Sequence, residues 1–210
     1  MKLLLLGATG LVGSITLRQA CGDDAISEVV APTRRPLALQ RKLVNPVSSD
    51  LGELVPAVAS WHVDAVICAL GTTKAKAGSQ EAFRYVDYTL PLAFAEAARG
   101  AGVNTLALVS AIGAASDSMF FYPRTKGELE RDIQRVGFRS LTICRPSIIG
   151  GERPETRIAE GAALALARAL APILPKKFHV NPASVIAASL LDAVLKASPG
   201  CRWIFAEELN

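Results

Sequence analysis

Three residues in the middle of the chain carry groups suited to moving a proton on and off an oxygen. Tyr122 and Lys126 stand four apart in the run Phe120-Phe121-Tyr122-Pro123-Arg124-Thr125-Lys126, and on a helix that spacing puts two side chains on one face. A phenol is a poor base at neutral pH, with a reference pKa of about 10. A neighbouring ammonium favours the phenolate and lowers that value. A tyrosine so placed could give a proton to a carbonyl being reduced or take one from an alcohol being oxidised. Ser110 comes directly after the apolar run Thr105–Val109 and could hydrogen-bond the same substrate oxygen. Lys126 could also hold the ribose hydroxyls of a nicotinamide nucleotide. On its own Tyr-x-x-x-Lys is a common accident, a tyrosine beside a solvated lysine. Its weight here comes from two further features that match it.

The first is a glycine turn. The apolar run Lys2–Leu6 leads into Gly7-Ala8-Thr9-Gly10-Leu11-Val12-Gly13. Gly7 suits the tight turn, Gly10 lets a pyrophosphate approach the backbone, and Gly13 lets the following helix pack closely on the strand. Thr9, Leu11 and Val12 fill the turn, and the helix start offers free N–H groups to phosphate. The second is the end of the second strand, where the adenine ribose should lie. An NAD site commonly places a carboxylate there. This chain has Thr33, Arg34 and Arg35. Arginine can pair bidentately with a 2′-phosphate, and Thr33 could add a hydroxyl. NADP(H) is the expected cofactor, with NAD(H) as the alternative.

The elements that must position these residues follow from the pattern. Apolar runs at Lys2–Leu6, Glu28–Ala31, Arg41–Val44, Asp64–Leu70, Thr105–Val109, Ser140–Cys144 and Arg202–Phe205 read as strands. Helical stretches separate them: Leu11–Ala20, Asp50–Ala59 with Pro56 inside it, Gln80–Arg99 kinked or broken at Pro91, Tyr122–Val136, Glu155–Leu170 and Pro182–Ala197. Strands alternating with helices predict βαβ units and a parallel sheet. The central strands are almost wholly apolar, as in a sheet covered on both faces. The expectation is an α/β, Rossmann-like, doubly wound parallel sheet of about seven strands. It would form one domain over residues 1–210, with residues 146–200 contributing a small helical cap on the substrate side. The Glu155–Leu170 helix could instead join two subunits, so a homodimer is possible.

Composition narrows the classes. Half the 210 residues are hydrophobic and a fifth charged, which excludes a disordered chain. The net charge of +4 is spread out, and nucleic acid is not an expected partner; a small molecule is. Of the cysteines, Cys21, Cys68, Cys144 and Cys201, none forms a CxxC pair, and His62 and His179 are the only histidines. No metal is expected. The cysteine pattern suggests a reducing, cytoplasmic location. The apolar run Leu3–Leu6 is too short for a signal peptide or a membrane span.

With these residues in view, the chain resembles the short-chain dehydrogenase/reductase superfamily, in its atypical branch of NAD(P)-binding Rossmann-fold proteins. Gly7–Gly13 is similar to that branch's cofactor turn. The runs Cys68–Gly78, CALGTTKAKAG, and Tyr122–Glu130, YPRTKGELE, resemble the Tat-interactive oxidoreductase group and its bacterial relatives. Arg145–Arg153, RPSIIGGER, is similar to the family's Arg-Pro segment beside the substrate. The resemblance implies catalytic roles for Ser110, Tyr122 and Lys126, and a cofactor-lining role for Leu70, Gly71 and Thr72. Many members of the superfamily carry an asparagine that supports a proton relay through water; Asp87 stands at or near that position here.

Three functions remain open on this reading. One is an NADP-dependent oxidoreductase acting on a small carbonyl or alcohol, with Tyr122 as acid/base. Another is a non-catalytic NADP-binding sensor or interaction protein. The third is an NAD(P)-dependent isomerase or epimerase, which would retain the same residues.

Overall fold

The computed structural model describes residues 1–151 and 179–210. Seven parallel strands form one sheet: β1 Lys2–Leu6, β2 Glu28–Val30, β3 Leu43–Val44, β4 Ala65–Cys68, β5 Thr105–Val109, β6 Ser140–Arg145 and, at the chain's end, β9 Gly200–Phe205. Their order is β3-β2-β1-β4-β5-β6-β9. The chain winds outward from β1 in one direction and from β4 in the other, so the sheet reverses between these two strands. In open α/β sheets that is where a crevice opens for ligands. A separate parallel pair joins β7, Ile149–Gly150, to β8, Asn181–Pro182.

Helices cover both faces. On one, α1 Leu11–Gly22 packs with α6 Ala183–Lys196, burying Leu17, Ala20, Ile186 and Leu190 against Leu3, Leu5 and Ile67. The other face carries the 3₁₀ segment Leu51–Trp61, α4 Leu90–Gly100 and α5 Phe121–Val136, which bury Val58, Phe94, Leu129 and Ile133 against Leu4, Leu6 and Leu108. β4 and β5 are buried at every position, which is why their sequences show no alternation.

The expected Rossmann-like α/β fold is the observed one, and three local readings change. Asp50–Ala59 is a 3₁₀ segment running to Trp61, started by the Asp50 carboxylate accepting from Gly52 N at 2.8 Å. The long helix is interrupted ahead of Pro91 by a change of winding. It runs as α3 Gln80–Arg84, a π turn Tyr85–Thr89, then α4. Proline removes one helical donor and crowds the carbonyl four residues back, and the wider π turn accommodates that just ahead of Pro91. The loop after β4 holds a short helix, α2 Lys74–Ala77, capped by the Thr73 side chain. The expected helix Glu155–Leu170, and the subunit contact it could make, lie outside the described residues.

Two glycines decide the turn between β1 and α1. Gly7 has a φ of +85°, and a Cβ there would stand 2.5 Å from Ala69 O. A Cβ on Gly13 would stand 2.0 Å from Gly7 O. Gly13→Ala must push α1 off β1 and is expected to destabilise the fold by about 3 kcal/mol. Gly22→Ala, with nothing within 4 Å, should be neutral or stabilising by about 0.5 kcal/mol. Denaturant titration of both variants checks the contrast.

Candidate active site

The start of α1 is free for an anion. Gly10 is its N-cap and supplies no side-chain cap, the first turn carries no acidic residue, and the first backbone bond closes at Ser14 N to Gly10 O, 2.8 Å. The N–H groups of Leu11, Val12 and Gly13 therefore stand at a helix N-terminus whose partial positive charge suits phosphate. Thr9 and Gly10 are exposed beside them. Leu70 is buried at the end of β4, while Gly71 is exposed and Thr72 half-buried, so this loop stands along the same edge of the sheet.

At the end of β2 the structure separates two roles. Thr33 is buried, and its hydroxyl donates to Arg35 O at 2.7 Å and accepts from Asn45 Nδ2 at 2.8 Å. That hydroxyl is engaged inside the protein and shapes the corner. Arg34 and Arg35 are exposed and form no ion pair with any described residue. The corner thus carries two exposed guanidinium groups with no ion-pair partner among the described residues.

Ser110 follows β5, its N–H donating to Cys144 O at 2.7 Å. It is 5% exposed, and its Oγ has no hydrogen-bond partner among the described residues. A buried hydroxyl left in that state costs free energy, so it fits a place that a substrate oxygen completes. Tyr122 lies in the first turn of α5, its ring edge-on to Phe83 at 5.8 Å between centroids. Lys126, one turn on, is 4% exposed. Its Nζ stands 2.8 Å from Oδ1 of Asp87, a residue only 1% exposed. The other carboxylate oxygen of Asp87 accepts from Thr72 N at 2.7 Å. The π turn thereby ties α5 to the loop after β4.

The electrostatics differ from the simple tyrosine–lysine picture. Burial pushes the Tyr122 phenol up, Lys126 pulls it down and Asp87 pushes it up again, leaving it above its ordinary value. Burial disfavours the Lys126 ammonium, but Asp87 and then Tyr122 more than offset that, and Lys126 titrates above its usual range. Lys126 does pull the Tyr122 phenol down as its spacing suggests, but burial of the phenol outweighs that pull and the Asp87 carboxylate adds to the rise.

One arrangement was not anticipated. Glu130, one turn beyond Lys126 and 2% exposed, accepts both arms of Arg145, the Nε contact being 2.9 Å. Arg145 also stacks over Trp203 at 4.4 Å. Tyr122, Lys126 and Glu130 repeat every four residues, and that spacing is the signal that could have found Glu130. The arginine itself lay in the Arg-Pro segment already noted. A Cβ on Gly127, between Lys126 and Glu130, would stand 2.2 Å from Ala115 C, so α5 also lies tight against the loop that follows Ser110. Around the site, Phe120 and Ile148 are exposed and Phe121 is half-buried against Phe83, and of the two histidines His62 is exposed. His179 lines a cavity of about 380 Å³ with Ile15, Gly150 and Pro182. No described helix is long and apolar enough to cross a membrane, and no described cluster could hold a metal ion.

Residues 7–162 match the family model described as NAD(P)H-binding. The chain is 36% identical over 205 residues to protein fmp52, mitochondrial, of Aspergillus niger, covering 93% of this chain and 88% of that one. To protein FMP52, mitochondrial, of Candida albicans it is 40% identical over 161 residues, 74% of this chain and 70% of that one. Among solved structures, the enzyme WbmH of Bordetella bronchiseptica in complex with NAD+ superposes with a TM-score of 0.73 at 13% identity, over 98% of this chain and 75% of that one. That likeness shows the fold. Both sequence relatives are fungal proteins named as mitochondrial, which overturns the cytoplasmic assignment and gives no support to the expected likeness to bacterial relatives. The reason lies in the inference: the four cysteines are free, and free thiols report a reducing environment that more than one compartment provides.

Glu130→Gln would leave the Arg145 guanidinium half-buried without its anion. A loss of about 2 kcal/mol is expected, below the range for a fully buried pair because Arg145 keeps some exposure. Replacing the pair together, Glu130→Gln with Arg145→Met, should restore part of it. A double-mutant cycle by urea unfolding checks both.

Proposed function

Because the chain belongs to the NAD(P)H-binding family, we propose that it is an oxidoreductase that moves a hydride between NADP(H) and a small carbonyl or alcohol, with Tyr122 as acid/base. The observation that carries this reading is the buried, unpartnered Ser110 Oγ at the end of β5. It belongs to the same sheet edge as the Tyr122–Lys126 face of α5. The uncapped N-terminus of α1 and the close packing of Gly7 and Gly13 fit a dinucleotide's pyrophosphate. When bound, the reduced nicotinamide supplies a hydride.

The chain's own residues do the rest. Gly7, Thr9, Gly10, Leu11, Val12 and Gly13 hold the pyrophosphate, and Leu70, Gly71 and Thr72 line the nucleotide beyond β4. Arg34 and Arg35 take the 2′-phosphate. Ser110 Oγ hydrogen-bonds the substrate oxygen and orients it, and Tyr122 exchanges a proton with that oxygen. Lys126 supports the phenol from one turn below and reaches the nicotinamide ribose. A protein that only sensed NADP would have no use for the unpartnered serine hydroxyl, which favours the catalytic reading.

Calorimetric titration with NADPH and NADH tests the cofactor. NADPH should bind more tightly, and Arg34→Ala with Arg35→Ala should weaken it on the order of 100-fold, the scale of two charge-assisted contacts, while NADH binding stays as it was. Equal binding of the two nucleotides by the native chain overturns the preference. Tyr122→Phe should keep NADPH binding and lower turnover of a confirmed carbonyl substrate by roughly 10²–10⁴. Turnover undiminished in that variant excludes Tyr122 as the acid.

A further inference from the structure

The segments that run out from the sheet beside Ser110 are apolar where they meet water. Ile112 stands two positions after Ser110. Its N–H donates to Pro146 O at 2.8 Å, as the Ser110 N–H does to Cys144 O at 2.7 Å. These bonds continue the pairing of β5 with β6 past the strands' ends, so the stretch carrying Ile112 lies along the one that leads to Ile148. The loop after β5 then returns to α5, where the Ala115 N–H donates to Pro123 O at 3.1 Å, next to Tyr122. Ile112 and Ile148 are exposed, Met119 is 92% exposed and Phe120 77%. Four large apolar side chains thus stand in water on the two segments that flank one buried, unpartnered hydroxyl.

Phe120 carries the argument furthest. It is the N-cap of α5 and makes no side-chain cap bond. A serine, threonine, asparagine or aspartate there would satisfy a helix N–H and stabilise the helix. A phenyl ring left in water contributes neither a cap nor core packing, yet it stands directly before the Phe121 and Tyr122 rings that pack edge-on against Phe83. The cations around these segments are already engaged. Lys126 is paired with Asp87 at 2.8 Å and Arg145 with Glu130 at 2.9 Å, while Arg124 donates to the Ser118 and Met119 carbonyls. Lys74 of α2 lies over the Phe121 ring at 5.7 Å. Asp117, exposed on the same loop as Met119, opposes an anion. The surroundings therefore suit an uncharged apolar body better than a phosphate or a carboxylate.

We propose that Ile112, Met119, Phe120 and Ile148 determine specificity, and that the substrate is an uncharged aldehyde or ketone with an apolar body, an alkyl chain or an aryl ring. Its oxygen reaches Ser110 Oγ while its body covers these side chains. This rests on the reading of Ser110 and Tyr122 as the groups that meet the substrate oxygen, and adds the substrate's class. Taking the four side chains and the substrate's body out of water together is favourable in proportion to the apolar area covered, so binding needs no further polar contact. In the reduction the carbonyl carbon gains the hydride with its electron pair from NADPH. The oxygen takes the Tyr122 proton, the phenolate is reprotonated from water, and the alcohol and NADP+ leave.

Octanal and glyceraldehyde, each offered with NADPH, test the proposal. The native chain should reduce octanal with a kcat/KM on the order of 100-fold above that for glyceraldehyde. Phe120→Ser should lower that ratio about tenfold, the scale on which hydrophobic contacts discriminate. It should also leave the urea midpoint unchanged or raise it, because serine caps α5. Met119→Ser repeats the measurement with a side chain almost wholly in water. A native ratio at or below one, or a ratio unmoved in both variants, overturns the proposal. So does a urea midpoint lowered by Phe120→Ser, which would mean that the phenyl is packed within the fold. If neither aldehyde is reduced, the oxidoreductase reading fails, and binding still decides the class of ligand. The uncharged dye N-phenyl-1-naphthylamine should brighten on the native chain, be displaced by octanol and bind Phe120→Ser about tenfold more weakly. Dye that does not bind, is not displaced by octanol or binds both chains alike overturns the proposal, so the two failures are distinguishable.

Discussion

A lysine taken out of water has to be paired, and much of this site is arranged around that requirement. Lys126 is buried because α5 lies flat on the sheet, with Leu129 and Ile133 in the core and Gly127 close to Ala115. Its partner has to arrive from another element at 2.8 Å. Asp87 does so from a π turn, whose extra residue changes the helix register just before Pro91. The carboxylate then fixes Thr72 through its N–H. One buried charge thus links α5, the turn before α4 and the loop after β4.

The same helix is fastened a second time with the signs reversed. Glu130 on α5 meets Arg145 at the end of β6, and Trp203 of β9 lies under the guanidinium. The two pairs are one turn apart on a single face, so sliding or rotating α5 would break both at once. Neither pair is a large source of stability by itself, since desolvation offsets most of the attraction. Their effect is specificity of placement. Tyr122 sits at the N-terminal end of a helix pinned at Lys126 and Glu130, while Ser110 is held by the β5–β6 ladder through Cys144. Ser110 and Tyr122, the two groups proposed to act on one oxygen, are thereby carried by supports that cannot drift independently.

Legibility in the sequence followed how local each feature was. β1 and β5 could be bounded from their apolar runs because every residue of β5 is buried and a glycine turn closes β1. β3 was blurred because it has only two residues in the ladder, one of them exposed. The pair β7 and β8 was invisible, since two residues on each side leave no periodicity. Pro91 signalled a disturbance but not its form. A π turn keeps the chain helical while changing its winding, and no composition marks it. Asp87 could be singled out only through resemblance, because its partner lies 39 positions away, at Lys126. Thr33 showed a hydroxyl in the right corner, yet its use by Arg35 and Asn45 depended on the β2–β3 bridge. The cysteines misled on location because they measure redox state and nothing more.

The resting place of the proton on Tyr122 is decided by competing fields of unequal size. The positive end of α5 favours phenolate, an effect of about 0.3–1 kcal/mol at a helix terminus. That is less than the 1.36 kcal/mol that one pKa unit represents. Lys126 pulls the same way, but Asp87 opposes it from within the same buried pair, and partial burial of the ring adds to the neutral side as the largest contribution. The neutral phenol therefore persists through neutral pH and is lost only as pH rises through a value above the ordinary one. Among the charged groups, Lys126 pulls toward phenolate more strongly than Asp87 pushes back, and burial of the ring outweighs the difference.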